Sequence, residues 1–154
     1  MRMTSITPLT TREELDFAAQ HGAAFYAETG MPGSFTPEKF VDLWAKLIEA
    51  EIGVILGLRV DGEIVGALAA VVAPDIYDGR PTAHECFWYT IPTHRGTYPL
   101  RLIHAYKEWA VSKGVAKRDI RIACMEGANP DHLEDFYRKL GFKPLERHFY
   151  YAGD

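Results

Sequence analysis

The residues most able to do chemistry lie between Ala83 and Gly114, in AHECFWYTIPTHRGTYPLRLIHAYKEWAVSKG. At its centre THRGTY brings together the backbone N–H groups of a helix start, the helix's positive end and the cation of Arg95. That combination is what phosphate binding requires. Gly96, Thr97 and Tyr98 would offer the N–H groups, and Pro99 suits a first helical turn because its missing donor has no intrahelical partner there. The same residues also fit an ordinary charged loop. Upstream, Glu85 is flanked by apolar strand residues, a setting that raises a carboxyl pKa towards that of a base. It could equally pair with Arg80 or His84 as a structural contact. His94 is a third titratable candidate at the loop, although a loop histidine is ordinarily solvated.

These groups need a strand and a helix to position them, and the sequence supplies both. AHECFWYTI is dense in aromatic and β-branched residues and is closed by Pro92. Simple alternation puts Glu85, Phe87, Tyr89 and Ile91 on one face, with His84, Cys86, Trp88 and Thr90 on the other. Leu102, Ile103, Tyr106, Trp109 and Ala110 repeat at helical spacing as far as the stop at Gly114.

Before this centre, Met3 to Leu9 predicts a strand, and Thr11 with Glu14 makes a capping box for a helix ending before Gly30. TGMPGSFTP is a loop or lid; Thr36 and Pro37 then begin a second helix. IGVILGLRV and EIVGALAAVVA flank Asp61-Gly62, a strong hairpin signal. PDIYDGRPTAH is a loop whose Asp75, Tyr77, Asp78 and Arg80 would border a site. After the central helix, DIRIACMEG follows a crossover connection and is expected to run parallel to the central strand. ANPDHLEDFYRKLGF forms a helix capped at Asn129, and KPLERHFYYA a closing strand. The predicted order β-α-α-β-β-β-α-β-α-β is an α/β (α+β) chain with a mixed, mostly antiparallel sheet and helices on both faces.

A chain of 154 residues reads as one domain, 1–154, and 47% hydrophobic with 25% charged residues is an ordinary globular balance. The net charge of −4 lacks the basic excess of a nucleic-acid binder and favours neutral or cationic small partners. Cys86 and Cys124 lie in apolar strand patterns and read as reduced core thiols; with six scattered histidines, no metal site is expected. MRMTSITPLTTREEL lacks a signal-peptide core, and no apolar run of about 18 residues occurs, so a cytoplasmic protein without membrane contact is expected.

PTHRGTYPLRLI resembles the acetyl-CoA-binding segment of the GNAT N-acetyltransferases, a strand followed by Q/R-x-x-G-x-G/A and a helix. ECFWYTIPTHRG with LRLI is similar to a GNAT-like group often carried by phages, and FYRKLGF resembles the family's second signature. Tyr98 and Leu100 stand where the later glycines fall. The resemblance covers the chain from about Thr11 onward and implies an acyltransferase that moves an acetyl group from acetyl-CoA to a primary amine of a small molecule or peptide. It implies Glu85 as base and Tyr137 as proton donor to the leaving thiolate. It implies cofactor contacts from Tyr89, Ile91, Arg95, Gly96, Thr97, Tyr98, Arg101 and Asn129, and it allows a homodimer. Because of the altered glycines, a GNAT-fold binding module without catalysis is the alternative.

Overall fold

The capping box forms as the sequence predicts: the backbone N–H of Glu14 donates to Thr11 Oγ1 at 3.1 Å, and Glu14 Oε1 accepts from the N–H of Thr11 at 3.0 Å. In the computed structural model, which describes residues 1–153, this box opens α1 (Arg12–Thr29), which stops at Gly30 in the left-handed region, φ 68°. Before it lies β1 (Thr4–Pro8); after it come α2 (Pro37–Glu49), β2 (Gly53–Val60), β3 (Glu63–Pro74), β4 (Pro81–Thr90), α3 (Tyr98–Ser112), β5 (Ile120–Arg121) and α4 (Pro130–Lys139). Asp61 and Gly62 both have positive φ, as the tight β2–β3 hairpin demands.

Two compact units result, Met1–Ala123 and Cys124–Asp154. The first holds a five-stranded sheet in the order β1-β2-β3-β4-β5, antiparallel except for the parallel pair β4–β5. One face carries Ile55, Ala67, Ala69 and Phe87, buried beneath Leu15, Ala18 and Ala19 of α1 and Val41 and Trp44 of α2. The other face is covered by α3, which buries Leu102, Ile103, Tyr106 and Ala110. Gly57 is needed on the first face: a Cβ there would stand 2.5 Å from Leu9 Cδ2, and Leu9 is fully buried.

The second unit contains α4, entered through Asn129 in the left-handed region, φ 51°, without a side-chain cap. Two expectations fail around it. KPLERHFYYA carries no strand; Leu145, Phe149 and Tyr151 are exposed, with no paired strand to give this alternating segment a buried face. DIRIACMEG is strand only at Ile120–Arg121. Cys86 and Cys124 form no disulfide among the described residues, and both are exposed rather than core residues, because β5 ends before Cys124 and Cys86 lies where β4 is irregular.

Candidate active site

That irregularity decides which side chains face which way. Ala69 pairs with Phe87 but Ala70 pairs with Glu85, so Cys86 is an extra residue in β4. Neighbouring Ala69 and Ala70 point to opposite faces, and their partners follow them. Glu85 therefore does not share a face with Phe87 and Tyr89, as plain alternation predicts; it lies on the α3 side, while His84 and Thr82 join Phe87 and Tyr89 on the α1–α2 side. Side-chain contacts agree. Thr82 Oγ1 and His84 Nε2 are 2.9 Å apart, and Phe25 and His21 of α1 lie against Phe87 and Tyr89, with ring centroids 6.1 and 5.9 Å apart.

Glu85 is half-buried, and desolvation pushes its carboxyl up to about 8 against one N–H donated by Ala123. Below that pH it is neutral. Burial, and after it the charge of Glu85, opposes ionisation of Tyr106, whose hydroxyl donates to the carbonyl of Arg121 at 2.5 Å. Glu85 does not pair with Arg80. That guanidinium serves Asp78 at 3.0 Å, Asp119 at 3.1 Å and Asp75 at 3.4 Å, and Arg121 reaches Asp75 at 3.6 Å. Asp75, Asp78 and Arg80 thus tie the β3–β4 turn to the start of β5, and Tyr77 projects from it exposed.

At the other end of β4 the chain makes a 3-10 turn at Pro92–His94 and enters α3 through Gly96, φ 142°, and Thr97. Tyr98 is the first helical residue, Pro99 the second, and Thr97 supplies no side-chain cap, so the first-turn N–H groups of α3 have no intrahelical partner. The N–H of Ile91 donates to Val65 at 2.9 Å. Arg101 lies on the first turn, donates to Thr4 Oγ1 and sits 6.0 Å from the Tyr98 ring centroid.

Arg95 turns back from this loop. Its Nη1 and Nη2 each donate to the Glu28 carboxylate at 2.9 Å, its Nε donates to the carbonyl of Thr90 at 2.8 Å, and its guanidinium lies 5.2 Å from the Tyr89 ring centroid. Glu28 escapes a reading of the sequence, but one signal was there. An acid in the last turn of a helix faces the negative end of the dipole, and α1 has no basic residue in that turn. His21 also went unnoticed: it is buried, its Nδ1 lies 3.0 Å from the carbonyl of Phe17, and Nε2 has no partner among the described residues.

In the second unit Tyr137 is buried, its ring centroid 6.2 Å from that of Phe136 and 6.0 Å from that of Phe142. Among the described residues no cluster of His, Cys, Asp or Glu could hold a metal ion, and no helix is long and apolar enough to cross a membrane.

A sheet whose β4 parts from β5 after two pairs, leading into a helix with an open N-terminus, is matched by sequence as well. Residues 15–142 match the acetyltransferase (GNAT) family. The chain belongs to the GNAT family. Solved structures share the fold at low identity. A GCN5-related N-acetyltransferase from Ralstonia eutropha JMP134 is 16% identical with a TM-score of 0.77, over 98% of this chain and 100% of that one. The aminoglycoside N-acetyltransferase AAC(6')-Iy in complex with CoA is 15% identical with a TM-score of 0.78, over 99% and 96%. An aminoglycoside acetyltransferase from an uncultured soil metagenomic sample, in complex with trehalose, is 21% identical with a TM-score of 0.74, over 98% and 97%. No curated protein sequence matches the chain.

Proposed function

We propose that this GNAT chain is an N-acetyltransferase that moves the acetyl group of acetyl-CoA to a primary amine by direct attack. The observation that carries the reading is the parted edge of β4. It pairs with β5 only at Ala83–Ile120 and His84–Arg121, which leaves Glu85 to Thr90 without a β5 partner. A pantetheine arm, itself a short chain of amides, adds to such an edge as an extra strand would. The run from Glu85 to Ile91 is seven residues, six steps of roughly 3.3 Å or about 20 Å in all. At its far end the N–H groups of Gly96, Thr97 and Tyr98 receive the diphosphate, with charge from Arg95 and Arg101. Backbone groups of Tyr89 and Ile91 hold the arm, and Asn129 contacts it as the family resemblance implies.

The same resemblance gives Tyr137 the proton for the departing thiolate. Glu85 works as a base only where it is ionised, above about pH 8. The acceptor enters past the loop between α1 and α2 and the turn between β3 and β4. A net charge of −4 favours a cationic amine, as a small molecule or a peptide N-terminus. The protein works in the cytoplasm.

One observation favours a second reading, a binding module without catalysis. Tyr98, Pro99 and Leu100 occupy the turn where the family pattern has glycines, and Arg95 is already held by Glu28. A thermal shift with acetyl-CoA separates binding from no binding: at 100-fold its dissociation constant the cofactor adds about 2.7 kcal/mol, a rise of roughly 5–10 °C. Release of free thiol with kanamycin, spermidine or a peptide with N-terminal alanine then reports transfer. A shift without thiol release from any of the three moves the assignment to the binding module, and no shift removes both.

A further inference from the structure

We infer that Glu28, the carbonyl of Thr90 and the ring of Tyr89 form a binding site for an organic cation, which the side chain of Arg95 fills in the free protein. Once the cofactor's diphosphate draws Arg95 away, the site takes a charged nitrogen of the acceptor, which is a long polyamine. The site's role in acceptor binding rests on the acetyltransferase reading above.

Three kinds of group meet around the Arg95 guanidinium. The Glu28 carboxylate accepts from Nη1 and Nη2 at 2.9 Å each, the Thr90 carbonyl accepts from Nε at 2.8 Å, and the Tyr89 ring centroid lies 5.2 Å from Cζ. A carboxylate, a carbonyl and an aromatic ring are together what recognises an ammonium or guanidinium ion. Glu28 adds an attraction from its place in the fold. It lies in the last turn of α1, at the negative end of the helix dipole, and α1 brings no basic residue of its own to that turn. Carboxylate and helix end both favour a cation here, so when one leaves, another is favoured in its place.

Arg95 cannot grip a phosphate while it stays there. A guanidinium makes paired bonds from its end, through both Nη atoms, or from its side, through Nε and one Nη. The end belongs to Glu28, and Thr90 holds the Nε of the side. The diphosphate obtains a paired grip only by replacing one of them. Arg95 and Glu28 are both about half exposed, so their ion pair is weak enough for a doubly charged group to open. The exchange needs little rearrangement: Gly96, φ 142°, follows Arg95 directly, and α3 begins at Tyr98. Loading the cofactor thus empties the cation site.

The nitrogen that attacks the thioester must be neutral. A site made for a cation therefore holds a different nitrogen of the same acceptor. Tyr89, whose ring is on the α1–α2 side with His21, and Thr90 lie four and five residues beyond Glu85, where the thioester end of the arm lies in the reading above. The two nitrogens are then roughly 13–17 Å apart along the strand. A four-carbon diamine is too short for that separation, and spermine is long enough. Glu28 is also two residues from Gly30 and the α1–α2 loop, past which the acceptor enters.

The site is tested first without the cofactor, by calorimetry with spermine. Arg95→Ala should bind spermine at least about 10-fold more tightly than wild type. Adding Glu28→Gln should remove the gain, whereas adding Glu49→Gln, which removes an equal charge from the exposed end of α2, should keep it. No gain in Arg95→Ala, or a gain that survives Glu28→Gln, overturns the site. Turnover is then measured with acetyl-CoA. Spermine should have a KM at least about 10-fold below those of 1,4-diaminobutane and butylamine, and Glu28→Gln should raise it while kcat stays within about threefold, the mark of a bond made equally before and during reaction. If spermine is not acetylated, or is acetylated no better than butylamine, the polyamine assignment is overturned, while turnover of any other amine keeps the acetyltransferase reading. If acetyl-CoA gives no thermal shift, the acetyltransferase reading fails and the Arg95→Ala titrations still decide the cation site.

Discussion

Arg95 and Glu28, 67 residues apart, form a two-bond clamp with both N···O distances at 2.9 Å, joining the last turn of α1 to the loop before α3. The pair is about half exposed, so as an ion pair it contributes at most about 1 kcal/mol. Its larger consequence is for charge. The Arg95 side chain holds the Glu28 carboxyl below the usual carboxylate range, hydrogen bonding being the main cause, and part of Arg95's own charge is neutralised where a diphosphate would need it.

Glu28→Gln is therefore expected to leave stability within about 1 kcal/mol of wild type near pH 7 and to tighten acetyl-CoA binding about 3–10-fold. The sign of the pH effect follows from the lowered pKa. Stability from the pair is present above the unfolded carboxylate pKa of 4.5 and is lost as pH falls through the lower folded value. Urea melts of wild type and variant at pH 7 and pH 3.5 should converge at the acid end. Weaker acetyl-CoA binding in the variant would show that Glu28 positions Arg95 for the cofactor instead of competing with it.

Glu85 gives the opposite pH dependence. Its folded pKa, about 8, lies above the ordinary 4.5 because burial disfavours the charge. The contribution to stability is fully present below pH 4.5 and is lost as pH rises towards 8. Glu85→Gln should then melt several degrees above wild type at pH 9 and close to it at pH 4.5. Equal melting differences at the two pH values would mean that the carboxyl is solvated.

What could be read from the sequence was local. The Thr11–Glu14 box, the Asp61-Gly62 hairpin and the stop at Gly30 are set by residues within a few positions of one another. The facing of Glu85 is not, because one extra residue at Cys86 is defined only by pairing with Ala69 and Ala70 on β3. Alternation within β4 has no means of registering it, and a slip of one residue exchanges the two faces. The Arg95–Glu28 clamp was hidden for a related reason: it links segments whose closeness depends on the whole sheet. KPLERHFYYA shows the converse error, since an alternating aromatic pattern predicts a strand only where an edge is there to pair with it.

Pro99 occupies the second position of α3 and removes the N–H that position would present to an anion. Pro99→Ala restores the donor in a place where alanine is well tolerated. A charge-assisted bond of about 1.5–3 kcal/mol, less the cost of desolvating the donor, predicts acetyl-CoA binding roughly 3–30-fold tighter by calorimetry. The variant loses some rigidity in its unfolded chain, so stability should fall by up to about 1 kcal/mol. Unchanged affinity would show that the diphosphate does not reach the second residue of the helix.

Tyr137 needs a substitution that separates packing from proton transfer, because its ring is buried against Phe136 and Phe142 and a truncation to alanine would disturb both. Tyr137→Phe keeps nearly all the apolar area and removes one hydroxyl, so the stability cost should be about 1 kcal/mol or less. If the hydroxyl protonates the departing thiolate, turnover with an accepted amine should fall ~10²–10⁴-fold while the acetyl-CoA thermal shift is preserved, since the lost interaction is made mainly in the transition state. A leaving group of lower pKa needs that proton less. The defect in Tyr137→Phe should therefore shrink when acetyl-CoA is replaced by an acetyl thioester of a more acidic thiol. A Tyr137→Phe rate equal to that of wild type with the natural thioester would assign the proton to water and leave Tyr137 as a packing residue of α4.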